Sequence, residues 1–419
     1  MTDIHIKDLA DPVYSEFQSA ALAYGETLDT HFVPDEILTE AQEATGLSDF
    51  GPMDFMVRLG VICAEWEADE GLSGLGRLSL RGRLVNHAKN RLLIQDVLNH
   101  YPQIHDIEIA KPIIVVGLPR TGTTHLLNLM AADTRLRSMP FWESEQPVPQ
   151  AGEAMLDDGT DPRYKRCADN WEMMQQTVPY LAAMHPMDPD HINEEIELMM
   201  PNFGSYNYEW FTYSPQWRDY YLKMDQLPHY EYMKTVLKVM QFLQPDECPT
   251  RWVLKSPMHL ENLPQLLQCF DDAVFVITHR DPVSVIQSTL TMTAYGQRMN
   301  QKKPLIAELT GYWPDRIARM LRRLEETIHL LPTERTIHVP FHEFMADDMT
   351  MVEKIYAVAG LELANQARQE MQDFIDAHPR EKGGRVVYNL KSDFGLDPDE
   401  LREKFKFYFD VFPAKPEVK

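Results

Sequence analysis

Eight consecutive residues, Gly117-Leu118-Pro119-Arg120-Thr121-Gly122-Thr123-Thr124, carry the clearest chemical signal in the chain. They follow the apolar, β-branched run Pro112-Ile113-Ile114-Val115-Val116 and precede a helical pattern from His125 to Ala132. Strand, glycine-bounded loop and helix in that order aim a row of backbone N–H groups at one point, and the helix N-terminus adds positive potential. The ligand such a loop selects is an anion. A glycine-bounded turn with no ligand is the alternative, and the flanking strand and helix argue against it. The pattern departs from the ATP-binding loop GxxxxGK[ST], which has lysine where this chain has Thr123 and brings a Ser or Thr to magnesium. Arg120, inside the loop, supplies the cation instead, and no run of four apolar residues ends in an Asp that could serve as the second magnesium ligand.

A second segment, Thr278-His279-Arg280-Asp281-Pro282-Val283-Ser284, sets an arginine at a strand end just ahead of a new helix. Asp281 suits the N-cap and Pro282 the first helical position. Arg280 with a hydroxyl from the helix, Ser284 or Ser288, would hold a second phosphate, separate from the first. Pairing of Arg280 with a surface carboxylate is the competing reading.

Together the two segments resemble the sulfotransferases that use 3′-phosphoadenosine 5′-phosphosulfate (PAPS). In that family a G-x-P-R-[ST]-G-T-[ST] loop binds the 5′-phosphosulfate, and an arginine followed eight residues later by serine binds the 3′-phosphate. Pro119, Arg120, Thr121, Gly122, Thr123 and Thr124 match the loop, and Arg280 with Ser288 matches the second pair. Further stretches are similar to bacterial sulfotransferases related to the tyrosylprotein and carbohydrate enzymes: Phe141-Trp142-Glu143, Trp252 through Leu260, Val339 through Phe344, and the tail from Arg380 to Phe394. The resemblance runs from about Ile109 to Phe412 and leaves the first hundred residues unmatched. It implies PAPS as sulfuryl donor, adenosine 3′,5′-bisphosphate as product, and a tail loop closing over the 3′-phosphate and adenine. Arg380, Lys382, Gly383 and Gly384 would form that loop, the glycines allowing close backbone approach; a solvated charged turn is the alternative. Two departures matter. The steroid and phenol branch carries a loop lysine and a histidine base, so its base is not transferred to a chain with Arg120. Golgi members carry a membrane anchor, which this sequence lacks, so the resemblance implies a cytoplasmic enzyme.

Sulfuryl transfer, like phosphoryl transfer, is an in-line displacement through a loose transition state, so cations and N–H donors must surround the moving group. Arg120 and Lys255 are the candidates, with Thr123 and Thr124 on the 5′-phosphate and Ser256 near the leaving group. The acceptor hydroxyl needs a proton acceptor. Glu143 is the leading choice, about twenty residues past the loop as in the tyrosylprotein branch but offset by two; a helix-terminal carboxylate or an arginine pair is the other reading. His259 is the second choice, unless it caps a helix. The low charge of a sulfuryl group makes a metal dispensable, so none is expected and activity should persist in EDTA. The cluster His185, Asp188, Asp190, His191, Glu194 and Glu195 offers His191 and Glu195 four apart but no third ligand at a familiar spacing. It reads better as a capped acidic helix start at Asp190. A P-loop kinase or nucleotide hydrolase, and a noncatalytic nucleotide-binding protein, stay open as alternatives.

These residues need a parallel sheet to position them. Short apolar runs recur at Trp252-Val253-Leu254, Val274 to Ile277 and Thr336 to Val339, alternating with helical patterns at Val283 to Thr293, Tyr312 to Leu331 and Thr350 to Ala359. The expected fold is α/β: a P-loop type parallel sheet flanked by helices. From Asp35 to about Tyr101 apolar residues recur three or four apart, as in Phe55, Leu59, Ile62 and Trp66, which predicts an N-terminal helical layer. The division expected is a helical extension over 1–105 and a sulfotransferase-like domain over 106–419, with an acceptor or lid insertion at about 146–250. That insertion opens on a Pro-, Gly- and Asp-rich excursion, Gln146 to Asp169, and holds nine aromatics between Phe203 and Tyr221. Those rings either pack a helix or line an acceptor pocket.

Composition bounds the rest. The 419 residues are 44% hydrophobic and 25% charged, the balance of a folded protein rather than a disordered chain. Forty Lys and Arg against 64 Asp and Glu leave a net charge of −24, which repels nucleic acid, anionic lipid and polyanionic glycans. The expected partner is therefore a small-molecule acceptor, apolar or aromatic, with no nucleic acid. No window approaches 18 apolar residues, so no membrane span is expected, and four scattered cysteines fit a reducing compartment. The helical layer offers a surface for a homodimer.

Overall fold

A computed structural model describes residues 2–379 and 383–418. Its strands are β1 (Asp3–Ile4), β2 (Ile113–Val116), β3 (Val253–Ser256), β4 (Val274–His279), β5 (Thr336–Pro340) and β6 (Arg385–Val386). Among the described residues the central sheet has the order β3-β2-β4-β5 and is parallel throughout, while β1 and β6 pair separately, also in parallel. The apolar runs are unbroken because the sheet is covered on both faces. Ile114, Val116, Leu254, Phe275 and Ile277 join one core, and Ile113, Val115, Val253, Val274 and Val276 join the other.

In a parallel sheet every strand delivers its carboxyl end to the same edge, where ligands collect. Val116 is in register with Ser256 and Ile277, and β5 ends beside His279. One edge thus receives the loop after β2, Lys255 near the end of β3, Arg280 after β4 and Phe341 after β5. Gly117 makes this crowding feasible: a Cβ there would lie 1.8 Å from Thr278 Oγ1 on β4.

The helical patterns settle as Thr123–Ala131, Pro282–Gly296, Ile306–Thr327 and Asp348–Ala359. Asp281 accepts from Val283 N at 2.9 Å, with Pro282 as the first helical residue. The N-terminal layer is built of Pro34–Thr45, Phe55–Ala68 and Gly74–His100, whose buried face shares one core with the sheet. Two of its arginines grip a distant segment: Arg58 Nη2 and Arg91 Nη1 both donate to Asn202 Oδ1, at 2.9 and 3.0 Å. This anchors the 3₁₀ helix Glu195–Asn202. The acidic cluster upstream of it corrects one expectation, since no helix starts at Asp190; that side chain accepts from the Tyr164 hydroxyl at 2.9 Å, and helical structure begins at Glu195. Among the described residues no helix is long and apolar enough to cross a membrane.

Candidate active site

The loop after β2 is bent by two left-handed residues, Arg120 at φ 66° and Gly122 at φ 79°. For arginine that conformation is costly and persists only where neighbours hold it, a recurrent feature of ligand-binding turns. Here the Arg120 guanidinium donates to the Met184 carbonyl, its Nε is buried with no hydrogen-bond partner, and its own carbonyl accepts from Arg280 Nη1 at 2.5 Å. The orphaned donor fits an anionic ligand.

One cavity of about 1050 Å³ runs from this loop into the protein. Pro119, Arg120, Gly122, Thr123, Thr124 and Arg280 lie on its wall together with Lys255. Lys255 is 2% exposed, a buried ammonium that needs a partner. That partner is Glu194, whose carboxylate accepts from Lys255 Nζ. The next residue, Glu195, accepts from Lys255 N at 2.6 Å and pairs with His259 Nε2 at 2.6 Å, so the two adjacent acids fix both ends of one lysine. His185, on the same wall, is pushed down to about 3 by burial first, then by the charges of His191, Lys255 and Arg120, and stands as a neutral imidazole beside the two cations.

Several expected residues lie elsewhere. Glu143 is held by Arg137, at 2.6 Å, and His259 is wholly buried between Glu195 and the Tyr230 hydroxyl, 2.8 Å from Nδ1. Neither is among the described residues on the cavity wall. The local reason is visible at Phe141–Glu145, a single helical turn beginning after Pro140 that turns Glu143 to Arg137 and Glu145 to the cavity. Thr121 spends its hydroxyl internally, donating to Leu118 O at 2.6 Å and bonding Thr278 Oγ1 at 2.8 Å. Ser256 Oγ caps the following turn by accepting from Met258 N at 3.3 Å. Ser288 is not among the described residues on the cavity wall; 4% exposed, it donates to Val285 O at 3.3 Å within its own helix. Arg280 instead stacks on Phe341, 3.9 Å from the ring centroid, and is paired with Glu417. Gly383 faces Ala183 of the cavity wall, and Gly384, at φ 97°, faces Ile4 of β1 rather than the site. Arg380 and Lys382 lie outside the described residues.

The wall also carries apolar side chains, among them Trp171, Met174, Met184, Trp210, Phe211 and Met292. The aromatic segment divides between the core and the cavity. Phe203, Tyr208 and Trp217 pack into the core against Phe55 and Trp66, while Tyr206, Trp210 and Phe211 reach the cavity. Glu145, Glu197 and Arg83 also lie on the wall. Burial, then the neighbouring Glu145 charge, pushes Glu197 up to about 7, and Asn207 Nδ2 donates to it at 2.6 Å. Among the described residues no three His, Cys, Asp or Glu side chains converge as a metal site would require.

Residues 112–365 match the pattern of the sulfotransferase family. Sulfotransferase STF1 from Mycobacterium tuberculosis H37Rv is 27% identical, with a TM-score of 0.75 over 88% of this chain and 97% of that one. Sulfotransferase STF9 from Mycobacterium avium is similar in fold, at 24% identity and a TM-score of 0.82 over 94% of this chain and 100% of that one. No curated protein matches the sequence.

Proposed function

Because the chain belongs to the sulfotransferase family, we propose that it transfers a sulfuryl group from PAPS to a hydroxyl of a small apolar or aromatic acceptor. The observation that carries this reading is a cavity whose wall combines the Arg120 loop and Lys255 with apolar and aromatic side chains. The phosphosulfate would lie over the loop, on Arg120 and the N–H groups of Gly122, Thr123 and Thr124, and the 3′-phosphate beside Arg280.

The acceptor oxygen forms its bond to sulfur as the bond from sulfur to the bridging phosphate oxygen breaks. Negative charge builds on the bridging oxygen, and Arg120 and Lys255 are the side chains placed to neutralise it. Lys255 is already buried beside Glu194, so no hydration shell has to be stripped from it when it exchanges that carboxylate for the sulfuryl oxygens. The acceptor proton must go to a group within hydrogen-bond reach. We assign this to Glu194 in place of Glu143, since Glu194 lies on the cavity wall in direct contact with Lys255. As Lys255 turns to the sulfuryl oxygens, the Glu194 carboxylate is released to take that proton. His185, neutral, adds no competing charge and can donate or accept one hydrogen bond.

Radiolabelled PAPS offered with alcohols, phenols, amines and sugars tests the reading. Turnover with apolar alcohols or phenols, together with thermal stabilisation by adenosine 3′,5′-bisphosphate, is expected. Stabilisation by ADP with magnesium and none by the bisphosphate would overturn it in favour of a kinase or hydrolase.

A further inference from the structure

The guanidinium of Arg280 has two usable edges, and the structure shows both in use. Nη1 donates to the Arg120 carbonyl at 2.5 Å, locking the arginine to the loop, and Phe341 fixes its plane from one side. The remaining edge, Nε and Nη2, meets the Glu417 carboxylate in a fork: Nε lies 3.0 and 3.1 Å from the two oxygens and Nη2 lies 2.8 Å from one. A carboxylate and a phosphate monoester present the same pair of acceptor oxygens to that fork. The Glu417 segment does not depend on this pair for its position. Glu417 N and Val418 N both donate to the buried Asp281 Oδ2, at 2.7 and 3.3 Å, and Arg402 Nη2 donates to Val418 O.

We infer that Glu417 is an internal competitor for the 3′-phosphate of the donor, set by its own backbone anchors on the guanidinium edge which that phosphate takes. The inference rests on the reading of Arg280 as the 3′-phosphate ligand. Donor and product must displace the carboxylate to bind, and its return helps expel the product bisphosphate. Glu417 thereby lowers affinity for both and favours turnover over tight retention. Displacement needs only a side-chain rotation, because the backbone bonds to Asp281 can stay.

Calorimetric titration of the full chain with adenosine 3′,5′-bisphosphate and with adenosine 5′-phosphate, which lacks the 3′ group, separates the possibilities. Removing a partly exposed ion pair frees the arginine at small cost. Glu417→Gln should therefore tighten the bisphosphate about two- to fivefold and leave the monophosphate unchanged. Arg280→Ala should weaken the bisphosphate at least about tenfold and abolish the gain from Glu417→Gln in the double variant. Unchanged or weaker bisphosphate binding by Glu417→Gln, with Arg280→Ala still damaging, overturns the competitor and makes Glu417 a support for Arg280. Unaltered binding by Arg280→Ala overturns the clamp itself. Thermal melts of each variant confirm that the fold is intact.

Discussion

Lys255 and Glu194 stand 61 positions apart in the sequence and meet through a direct ammonium–carboxylate bond on the wall of the cavity. The contact places a cation and a carboxylate side by side where the Arg120 loop opens. Lys255→Ala removes the cation from a buried site, and kcat is expected to fall about 10²- to 10³-fold, in the range of a lost oxyanion donor. Steady-state kinetics should show the change in kcat more than in the donor KM.

Glu194→Gln keeps the shape and one hydrogen bond but cannot take a proton, so kcat is expected to fall about 10²- to 10⁴-fold. Affinity for adenosine 3′,5′-bisphosphate should stay within about twofold of wild type. Glu143→Gln, whose partner is Arg137, should keep kcat within a few-fold. Reversal of these two results would return the base to Glu143.

Glu197 links the cavity to pH. Its carboxyl, pushed up to about 7, holds a proton in the folded protein between its ordinary value of 4.5 and about 7, where the unfolded chain has lost it. The folded state thus binds more protons in that window, and stability falls as pH rises through it. Glu197→Gln removes this residue's share of the slope and leaves that of Glu145, whose carboxyl burial also pushes up. Melting curves between about pH 5 and pH 8 should show the variant matching wild type at the acid end and exceeding it at the alkaline end by a few degrees.

Arg316 is 2% exposed, with Nε 2.8 Å from Glu209 Oε2 and Nη2 2.7 Å from Glu261 Oε2. Glu209 also accepts from the Tyr312 hydroxyl at 2.5 Å and immediately precedes Trp210 and Phe211 of the cavity wall. Arg316→Ala leaves buried Glu209 with no counter-ion and Glu261 with only the half-exposed Arg319, 3.3 Å away, and is expected to cost about 3–5 kcal/mol in urea unfolding. Arg316→Met together with Glu209→Gln and Glu261→Gln should recover most of that loss, because no uncompensated charge is left behind.

The Arg120 loop and the four central strands were readable from residue order because their signals are local. A β-branched run buried on both faces and a glycine-bounded turn into a helix are written within about twenty consecutive positions. Arg280 was readable for the same reason, with Asp281 and Pro282 marking the helix behind it. Glu143 and Glu145 illustrate the limit. Two positions apart on one short turn, they face different surroundings, and only the place of Arg137 and of the cavity decides which acid reaches the cavity wall. The tandem Glu194-Glu195 was legible as acidic residues, yet its meaning needed Lys255 on β3 and His259 in the turn after it, 60 and 64 positions from Glu195.

Sequence alone determined the sheet, the anion loop and the cations that follow its strands, since each depends on neighbours along the chain. The tertiary structure decided which carboxylate stands beside Lys255, that Ser288 bonds within its own helix, and that Glu417 lies on Arg280. Those outcomes rest on burial and on charges converging from distant segments, and a side chain's direction in a packed interior is set by what fills the space around it rather than by its place in the chain.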